Sequence, residues 1–215
     1  MPKIQTKDYF KYPRYLDKSE PIGYEGFSRI KPSRSIPEHV VSFNEWRARR
    51  YPDNLWVDHF IDDRLFDCVY KNCDKYLPFY KKLKGVIGTD FSAYRDMPAY
   101  HRKVNVGKNR EIDNYLQNNG VNVIPVVSYA YMEDFSWCLD GLPMRSSIAI
   151  STNGSMANFI SHEIFVEGAK EVQRRLQPFK LIVAGGPVRE LDELFDNIVY
   201  YPNFSQRLRE RRKNG

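Results

Sequence analysis

The sequence predicts an α/β fold built of repeated strand–helix units around a mainly parallel sheet. Six short apolar runs recur between residues 55 and 202, each rich in Val and Ile and each closed by polar or glycine residues, as buried strands usually are. Segments with helical periodicity separate these runs. A strand–helix–strand order that repeats in this way gives parallel strands joined by right-handed crossovers.

Six strands suit two architectures, an open doubly wound sheet or a partial (β/α) barrel. The buried character that the runs share favours the barrel-like arrangement. The predicted strands are LWVDHFI (55–61), GVIGTDF (85–91), VNVIPVVSY (121–129), SSIAIST (146–152), KLIVAGG (180–186) and NIVYYP (197–202).

Four helices are predicted between the strands. The first begins near residue 63 and is expected to stop at Pro78, because proline lacks the N–H that a helix interior needs. The second ends at the Asn-Asn-Gly sequence of residues 118–120, a typical stop signal. The third ends just before Pro178, and a short last helix covers residues 188–196.

The chain divides into an arm, a body and a tail. Residues 1–41 interleave prolines with tyrosines and phenylalanines, which opposes long helices but gives too many aromatic side chains for a plain disordered segment. We expect an extended arm that packs on the body or on a partner. Residues 42–206 form the α/β domain, in which Ser42 and Glu45 match a capping box and predict a short helix. Residues 207–215 form a basic C-terminal tail.

The basic character of the chain lies at its two ends. The net charge is +6, with +5 in residues 1–50, +4 in residues 207–215 and −3 in the body between them. Basic ends can contact a phosphate backbone, because Lys and Arg release counterions from nucleic acid. Solvated ends that aid solubility explain the same pattern. The tail residues that would contact nucleic acid are Arg207, Arg209, Arg211, Arg212 and Lys213.

Cysteine content and hydropathy exclude several classes of protein. Cys68, Cys73 and Cys138 form no CxxC pair, so neither a disulfide framework nor a zinc site is predicted. No apolar run approaches the roughly 20 residues that span a bilayer, and the first residues lack the apolar core of a signal peptide. We therefore expect no membrane partner and a cytoplasmic location.

The ends of the predicted strands carry the strongest functional signal. Both architectures place ligands at the carboxyl ends of the strands, and these positions are small, polar or acidic in five strands. The candidate residues there are Asp62, Asp90, Ser92, Tyr94, Asp96, Ser128, Ser151, Thr152, Asn153, Gly154, Gly185 and Gly186.

Two kinds of chemistry follow from these residue types. Paired carboxylates such as Asp62 and Asp90 can bind a divalent cation or divide into acid and base, although Asp also caps helices, which suits Asp63 and Asp96 well. The small-residue loops 151–155 and 184–187 can expose N–H groups to a phosphate, although they also suit ordinary tight turns.

Six segments of the chain are distinctive in combination: HFIDD (59–63), GTDFSAYRDMP (88–98), NGVNVIPVVSY (119–129), FSWCLDGLP (135–143), AISTNG (149–154) and LIVAGG (181–186). Together they resemble the domain-of-unknown-function family 4417, found in bacteria, archaea and their phages. The resemblance implies the fold and a home on a mobile element or in a phage, in which case the cytoplasm is that of the host, and it implies no particular activity. It adds weight to Asp90, Ser92, Tyr94, Asp96, Asp140 and Gly141, because these residues carry the likeness.

Two hypotheses remain open from the sequence. In the first, the strand ends form a pocket for a small phosphate-bearing ligand, such as a nucleotide or a nucleic-acid end. Asp90, helped by Asp62 and Asp140, would then be an acid, a base or a ligand of a divalent cation. In the second, the chain is a non-catalytic module associated with nucleic acid or with a virion, and its basic ends make the contacts. The residues alone do not decide whether the protein is an enzyme.

Overall fold

The structure, a computed structural model, describes residues 21–22, 25–48 and 54–213 and shows a mixed α/β fold. The strands of this part are β1 (Pro21–Ile22), β2 (Phe27–Ser28), β3 (Val40–Ser42), β4 (Trp56–Asp58), β5 (Gly85–Ile87), β6 (Val123–Ile124), β7 (Ser147–Ser151), β8 (Lys180–Ala184) and β9 (Ile198–Tyr201). The α-helices are α1 (Phe43–Ala48), α2 (Asp67–Lys71), α3 (Cys73–Tyr80), α4 (Ala99–Asn118), α5 (Phe159–Leu176), α6 (Arg189–Leu194) and α7 (Phe204–Lys213). Short 3₁₀ helices cover Asp63–Leu65 and Met132–Ser136.

Seven of these strands are parallel and follow one another in chain order. The first sheet has the order β3-β4-β5-β6 and the second the order β7-β8-β9. A parallel bridge between Val126 and Ala149 connects the two. The predicted α/β fold with a parallel sheet is therefore confirmed, and the unbroken strand order is that of a barrel rather than of a doubly wound sheet.

The interior of this partial barrel is filled by one cluster of side chains to which all seven parallel strands contribute. Because successive strand residues point to opposite faces, the alternate positions pack outward against the helices, as Val57 and Val86 do near α4 and as Ile148 and Val183 do near α5. The inner cluster contains Val40, Trp56, Phe60, Ile87, Ile124, Val126, Ala149, Ile182, Ala184, Val199 and Tyr201.

The segment before β3 runs along the body of its own chain. The Ile30 N–H donates to the Gly141 carbonyl (2.8 Å), and the Ser33 N–H donates to the Ser146 hydroxyl (2.9 Å). The described part of the predicted arm thus packs in cis, and residues 1–20 lie outside the described residues. β3 itself was not predicted, because three residues after a proline-rich stretch give too short an apolar run.

The helix boundaries follow the predicted signals in most places. α4 ends at Asn118, and Gly120 adopts φ +86°, a conformation that favours glycine. The expected stop at Pro78 is wrong: α3 continues through Pro78 to Tyr80, and the chain breaks instead at Asn72. None of the described helices combines the length and the apolar character that crossing a membrane requires.

α7 bridges the open side of the barrel. Among the described strands β9 pairs only with β8, so the barrel is not closed by hydrogen bonds between β9 and β3. Residues 207–213 of the predicted tail belong to α7, and Arg207 donates from Nη2 to the Ser42 hydroxyl (2.7 Å) and to Glu45 Oε2 (3.0 Å). The last described helix is thereby fixed to the first strand of the barrel.

Candidate functional site

A cleft of about 840 Å³ opens at the carboxyl ends of the parallel strands. Its walls come from the segments that follow β4, β5, β6 and β7, and from the first residues of α5 and α7. Because the carboxyl ends of parallel strands meet at one edge, side chains distant in sequence converge here.

Most of the predicted strand-end residues line this cleft. Those that the structure brings together are Asp62, Asp90, Ser92, Tyr94, Asp96, Ser128, Ser151, Asn153 and Gly154. Thr152 and Gly185 lie behind the wall and contact each other: a Cβ at Gly185 would lie 1.9 Å from the Thr152 hydroxyl. Gly186 approaches Gln206 at the start of α7.

Asp140 and Gly141 lie outside the cleft lining. One carboxylate oxygen of Asp140 accepts a hydrogen bond from Arg175 (3.3 Å), and its carbonyl accepts one from the buried Arg110 (3.2 Å). Gly141 has φ +81°, and a Cβ there would lie 2.6 Å from the Ser28 carbonyl. These contacts give the Asp-Gly pair a role in holding β2 on the body.

Asp90 is the acidic side chain best placed for proton transfer. It is half-buried in the cleft, and its Oδ1 accepts a hydrogen bond of 2.5 Å from the Ser128 hydroxyl. Burial raises the pKa of Asp90 to about 7, and the neighbouring carboxylates of Asp63 and Asp58 act in the same direction, against the hydrogen bond from Ser128. A carboxyl group with this pKa can donate or accept a proton near neutral pH.

Asp62 and Asp63 have different roles from each other. Asp62 is exposed and caps the 3₁₀ helix that follows it, and the hydrogen bonds from Arg64 lower the pKa of its carboxyl to about 2. Asp63 instead faces the next strand end, where it accepts hydrogen bonds from the Ser92 hydroxyl (2.8 Å) and N–H (3.1 Å). Asp63 therefore holds the loop after β5, which presents Asp90 to the cleft.

Asp58 is a buried carboxylate of this region that was not among the predicted site residues. It is 1% exposed at the end of β4, accepts a hydrogen bond from Ser42 (2.7 Å) and lies 3.7 Å from Arg207. Burial raises its pKa. The signal was available in WVDHF, where an acidic residue occupies the same face of an apolar strand as Trp56 and Phe60.

Small polar side chains after β7 form another wall of the cleft. The loop 151–155 leads to Asn158, whose side chain caps α5 by accepting from the Ser161 N–H (2.9 Å). Ser155, Asn158 and Ser161 all line the cleft. The first turn of an 18-residue helix carries partial positive charge, which favours an anion over a cation on this wall.

Tyr129 depends on a glycine for its place in the cleft wall. Its hydroxyl donates to the Phe165 carbonyl (2.9 Å), and its ring lies so close to α5 that a Cβ at Gly168 would approach ring carbon Cζ to 2.1 Å. We expect Gly168→Ala to destabilise the fold by about 1–3 kcal/mol, although alanine favours a helix more than glycine does.

Gly107→Ala is the matched control for this variant. Gly107 lies inside α4, and an added Cβ would meet only Phe27 at 3.6 Å, an ordinary contact. This variant should be neutral or gain up to about 1 kcal/mol. Urea unfolding of both variants measures the difference, and equal stabilities would contradict the close packing of Tyr129.

The predicted divalent cation stays a prediction. Within residues 25–48 and 54–213, no three His, Cys, Asp or Glu side chains lie close enough together to hold a metal ion by themselves.

The basic residues of the predicted tail divide into two groups. Arg207 and Arg211 both contact Glu45, at 3.0 Å and 2.7 Å, so their charges are used within the fold. Arg209, Arg212 and Lys213 are exposed on α7. The second group is presented outward, and Arg211 is exposed as well although it contacts Glu45.

Comparison with known proteins places the chain in a family. A family model described as "Domain of unknown function (DUF4417)" matches residues 20–202. The "Gene 1 protein" of Mycobacterium phage L5 is 29% identical over 184 residues, which are 84% of this chain and 80% of the relative. The "Gene 1 protein" of Mycobacterium phage D29 is 29% identical over 184 residues, which are 84% of this chain and 68% of the relative.

No solved structure matches the chain. The family match extends from β1 to β9 and stops just before Phe204 and Ser205, the two residues of α7 that line the cleft. The matched residues include all six segments by which the sequence resembles this family. The chain therefore belongs to the DUF4417 family and has relatives encoded by mycobacteriophages.

Proposed function

We propose that the cleft binds a small phosphate-bearing ligand, such as a nucleotide or a nucleic-acid end, and that Asp90 acts on it as a general acid or base. The observation that carries this proposal is the carboxyl group of Asp90, half-buried in a polar cleft with a pKa of about 7. Strongly raised pKa values in clefts are typical of functional sites. The phage-encoded relatives are consistent with a role on a mobile element.

The cleft offers its ligand two chemically different walls. Asp90, Ser128 and Ser92 supply proton donors and acceptors at one side, and the loop 151–155 with the start of α5 supplies small polar groups at the other. We assign the phosphate to the second wall, because the helix terminus favours negative charge there and the first wall is acidic. The reacting bond of the ligand then lies toward Asp90.

Thermal unfolding with added ligands tests this proposal. The probes are inorganic phosphate, nucleoside monophosphates and triphosphates, and short oligonucleotides, each with and without Mg²⁺ at low and high salt. A ligand at 100 times its Kd adds about 2.7 kcal/mol of stability, which raises Tm by about 5 °C or more in a domain of this size. We expect a salt-tolerant rise with a small phosphate ligand that Asp90→Ala abolishes and Asp196→Ala, at an exposed site, retains.

The same experiment addresses the alternative function. A non-catalytic module that binds nucleic acid through its basic ends would respond to oligonucleotides only, lose the response at high salt and not depend on Asp90. Arg209→Ala with Arg212→Ala would weaken that response. The internal contacts of Arg207 and Arg211 reduce the charge available for this role, so the cleft is the better-supported site.

A further inference from the structure

The segment between β5 and α4 (residues 88–98) is fixed to the body through its main chain. Three of its carbonyl groups accept hydrogen bonds from distant side chains: that of Ser92 from Asn105 (2.8 Å), that of Arg95 from Tyr131 (2.7 Å) and that of Met97 from Arg102 (2.6 Å). Arg102 is itself held by a buried ion pair with Asp134 (2.8 Å). A main chain fixed at several points is a preorganised support for the side chains that it carries toward a ligand.

Tyr94 is a side chain of this segment that lines the cleft and is 52% exposed. Within the described part of the chain its hydroxyl makes no hydrogen bond and its ring packs on no other aromatic ring. Leu65, which also lines the cleft, is likewise exposed. Large apolar side chains exposed inside a cleft are typical of a surface that a ligand covers. The flat ring of Tyr94 suits a flat partner.

Arg95 is the one basic side chain among the described residues that line the cleft. Its guanidinium lies 5.8 Å from the centre of the Tyr131 ring, and it forms no ion pair with a carboxylate of the described residues. An exposed arginine that is stacked on an aromatic ring and not neutralised by a carboxylate is well suited to bind a phosphate. The cleft therefore offers an anionic group a second place, on a different segment from the loop 151–155 and the start of α5.

We propose that the ligand of the cleft is a single-stranded nucleic-acid end of two or more nucleotides, with Tyr94 stacked on an unpaired base and Arg95 bound to a phosphate next to that base. Every base has an aromatic face, so an exposed tyrosine binds it without regard to sequence. Two places for phosphate, with an aromatic ring beside one of them, match a ligand in which phosphate and base repeat. This inference rests on the proposed function and adds the class of ligand and two residues that recognise it.

Isothermal titration calorimetry of the full chain with ribose 5-phosphate, a nucleoside 5′-monophosphate and a 5′-phosphorylated dinucleotide tests the inference. We expect the dinucleotide to bind most tightly and ribose 5-phosphate most weakly. Tyr94→Ala should weaken dinucleotide binding by about 5- to 150-fold, the loss of stacking on one base, and leave ribose 5-phosphate unchanged. Tyr94→Phe, which keeps the ring, should bind like the wild type. Tyr100→Ala is the matched control, because Tyr100 is 63% exposed on α4 and outside the cleft lining.

Arg95→Gln tests the second contact separately. A single-stranded ligand loses affinity with salt in proportion to the phosphates that it neutralises, so this variant should reduce the slope of log K against log salt by about 0.7 for the dinucleotide. Arg209→Gln, at an exposed position of α7, should leave that slope unchanged. Tyr94 and Arg95 are both exposed, so their variants are expected to fold.

The possible results separate this inference from the proposed function. Equal affinities for dinucleotide and ribose 5-phosphate, or a Tyr94→Ala protein that binds the dinucleotide like the wild type, would overturn the inference and leave a phosphate-binding cleft in place. Dinucleotide binding that Tyr94→Ala weakens and Asp90→Ala retains would support the inference and refute the role proposed for Asp90. A wild-type chain that binds none of the three probes would refute both.

Discussion

Arg207→Ala is expected to cost about 3–5 kcal/mol of unfolding free energy, because it leaves the buried Asp58 without its cation and leaves Glu45 with Arg211 alone. The Arg207 side chain is 11% exposed, while Glu45 and Asp58 are 4% and 1% exposed. Burial alone would raise the pKa of Glu45, and the Ser42 N–H together with Arg207 lowers it instead, so Glu45 is charged in the fold. Without Arg207 the carboxyl group of Asp58 must bind a proton or remain without a cation, and Glu45 retains only its ion pair with Arg211.

Arg209→Ala is the matched control, because it removes the same side chain two residues along α7 at an exposed position. Its effect should remain within about 0.5 kcal/mol. Urea unfolding at pH 7 measures both variants. An Arg207→Ala protein as stable as Arg209→Ala would show that α7 does not hold the open side of the barrel.

The stability of the fold is expected to fall as pH rises from about 4 to 7, opposite to the usual behaviour of a carboxylate. Burial raises the pKa of Asp113 from 3.8 to about 7, against the hydrogen bond from the Thr89 N–H and the charge of Arg110. Between these two values the folded chain binds more protons than the unfolded chain, so the unfolding free energy decreases with pH. For Asp113 the full decrease is about 4 kcal/mol.

Asp90 and Glu111 act in the same direction, because burial also raises their pKa values to about 7. The measurement is urea unfolding at pH 5, 6, 7 and 8. Asp113→Asn, which keeps the oxygen that accepts from Thr89 (3.1 Å), should flatten the dependence, and Asp196→Asn at an exposed site should not. The buried His59, whose pKa burial lowers to about 4, opposes part of this decrease below about pH 6.5. An Asp113→Asn protein with the same pH dependence of stability as the wild type would contradict the burial of charge at Asp113.

Local patterns were sufficient to place most of the fold and much of the cleft. Each of the six apolar runs contains a parallel strand. Because parallel strands end at one edge of the sheet, the sequence alone predicts that Asp90, Ser128 and Ser151 lie close together, and all three line the cleft. This inference depends only on strand direction, which the strand–helix–strand order determines.

Features that depend on contacts between residues far apart in sequence could not be predicted from local patterns. β3 is a strand because β4 pairs with it, and its own three residues give no signal. Asp63 resembles a helix cap in sequence, yet its carboxylate holds Ser92, 29 residues away. Arg207 belongs to a run of arginines typical of a solvated tail, and only its proximity to Glu45 reveals a buried role.

The contact between Arg207 and Glu45 joins residues 162 positions apart and has a consequence for synthesis of the protein. A chain emerging from the ribosome can form the early strand–helix pairs as they appear, because their contacts are local. The ion pairs of Arg207 with Glu45 and Asp58 must wait until α7 has been made, and closing so long a loop is entropically costly and slow. The cleft is therefore expected to be completed last, after the sheets that support it have already folded.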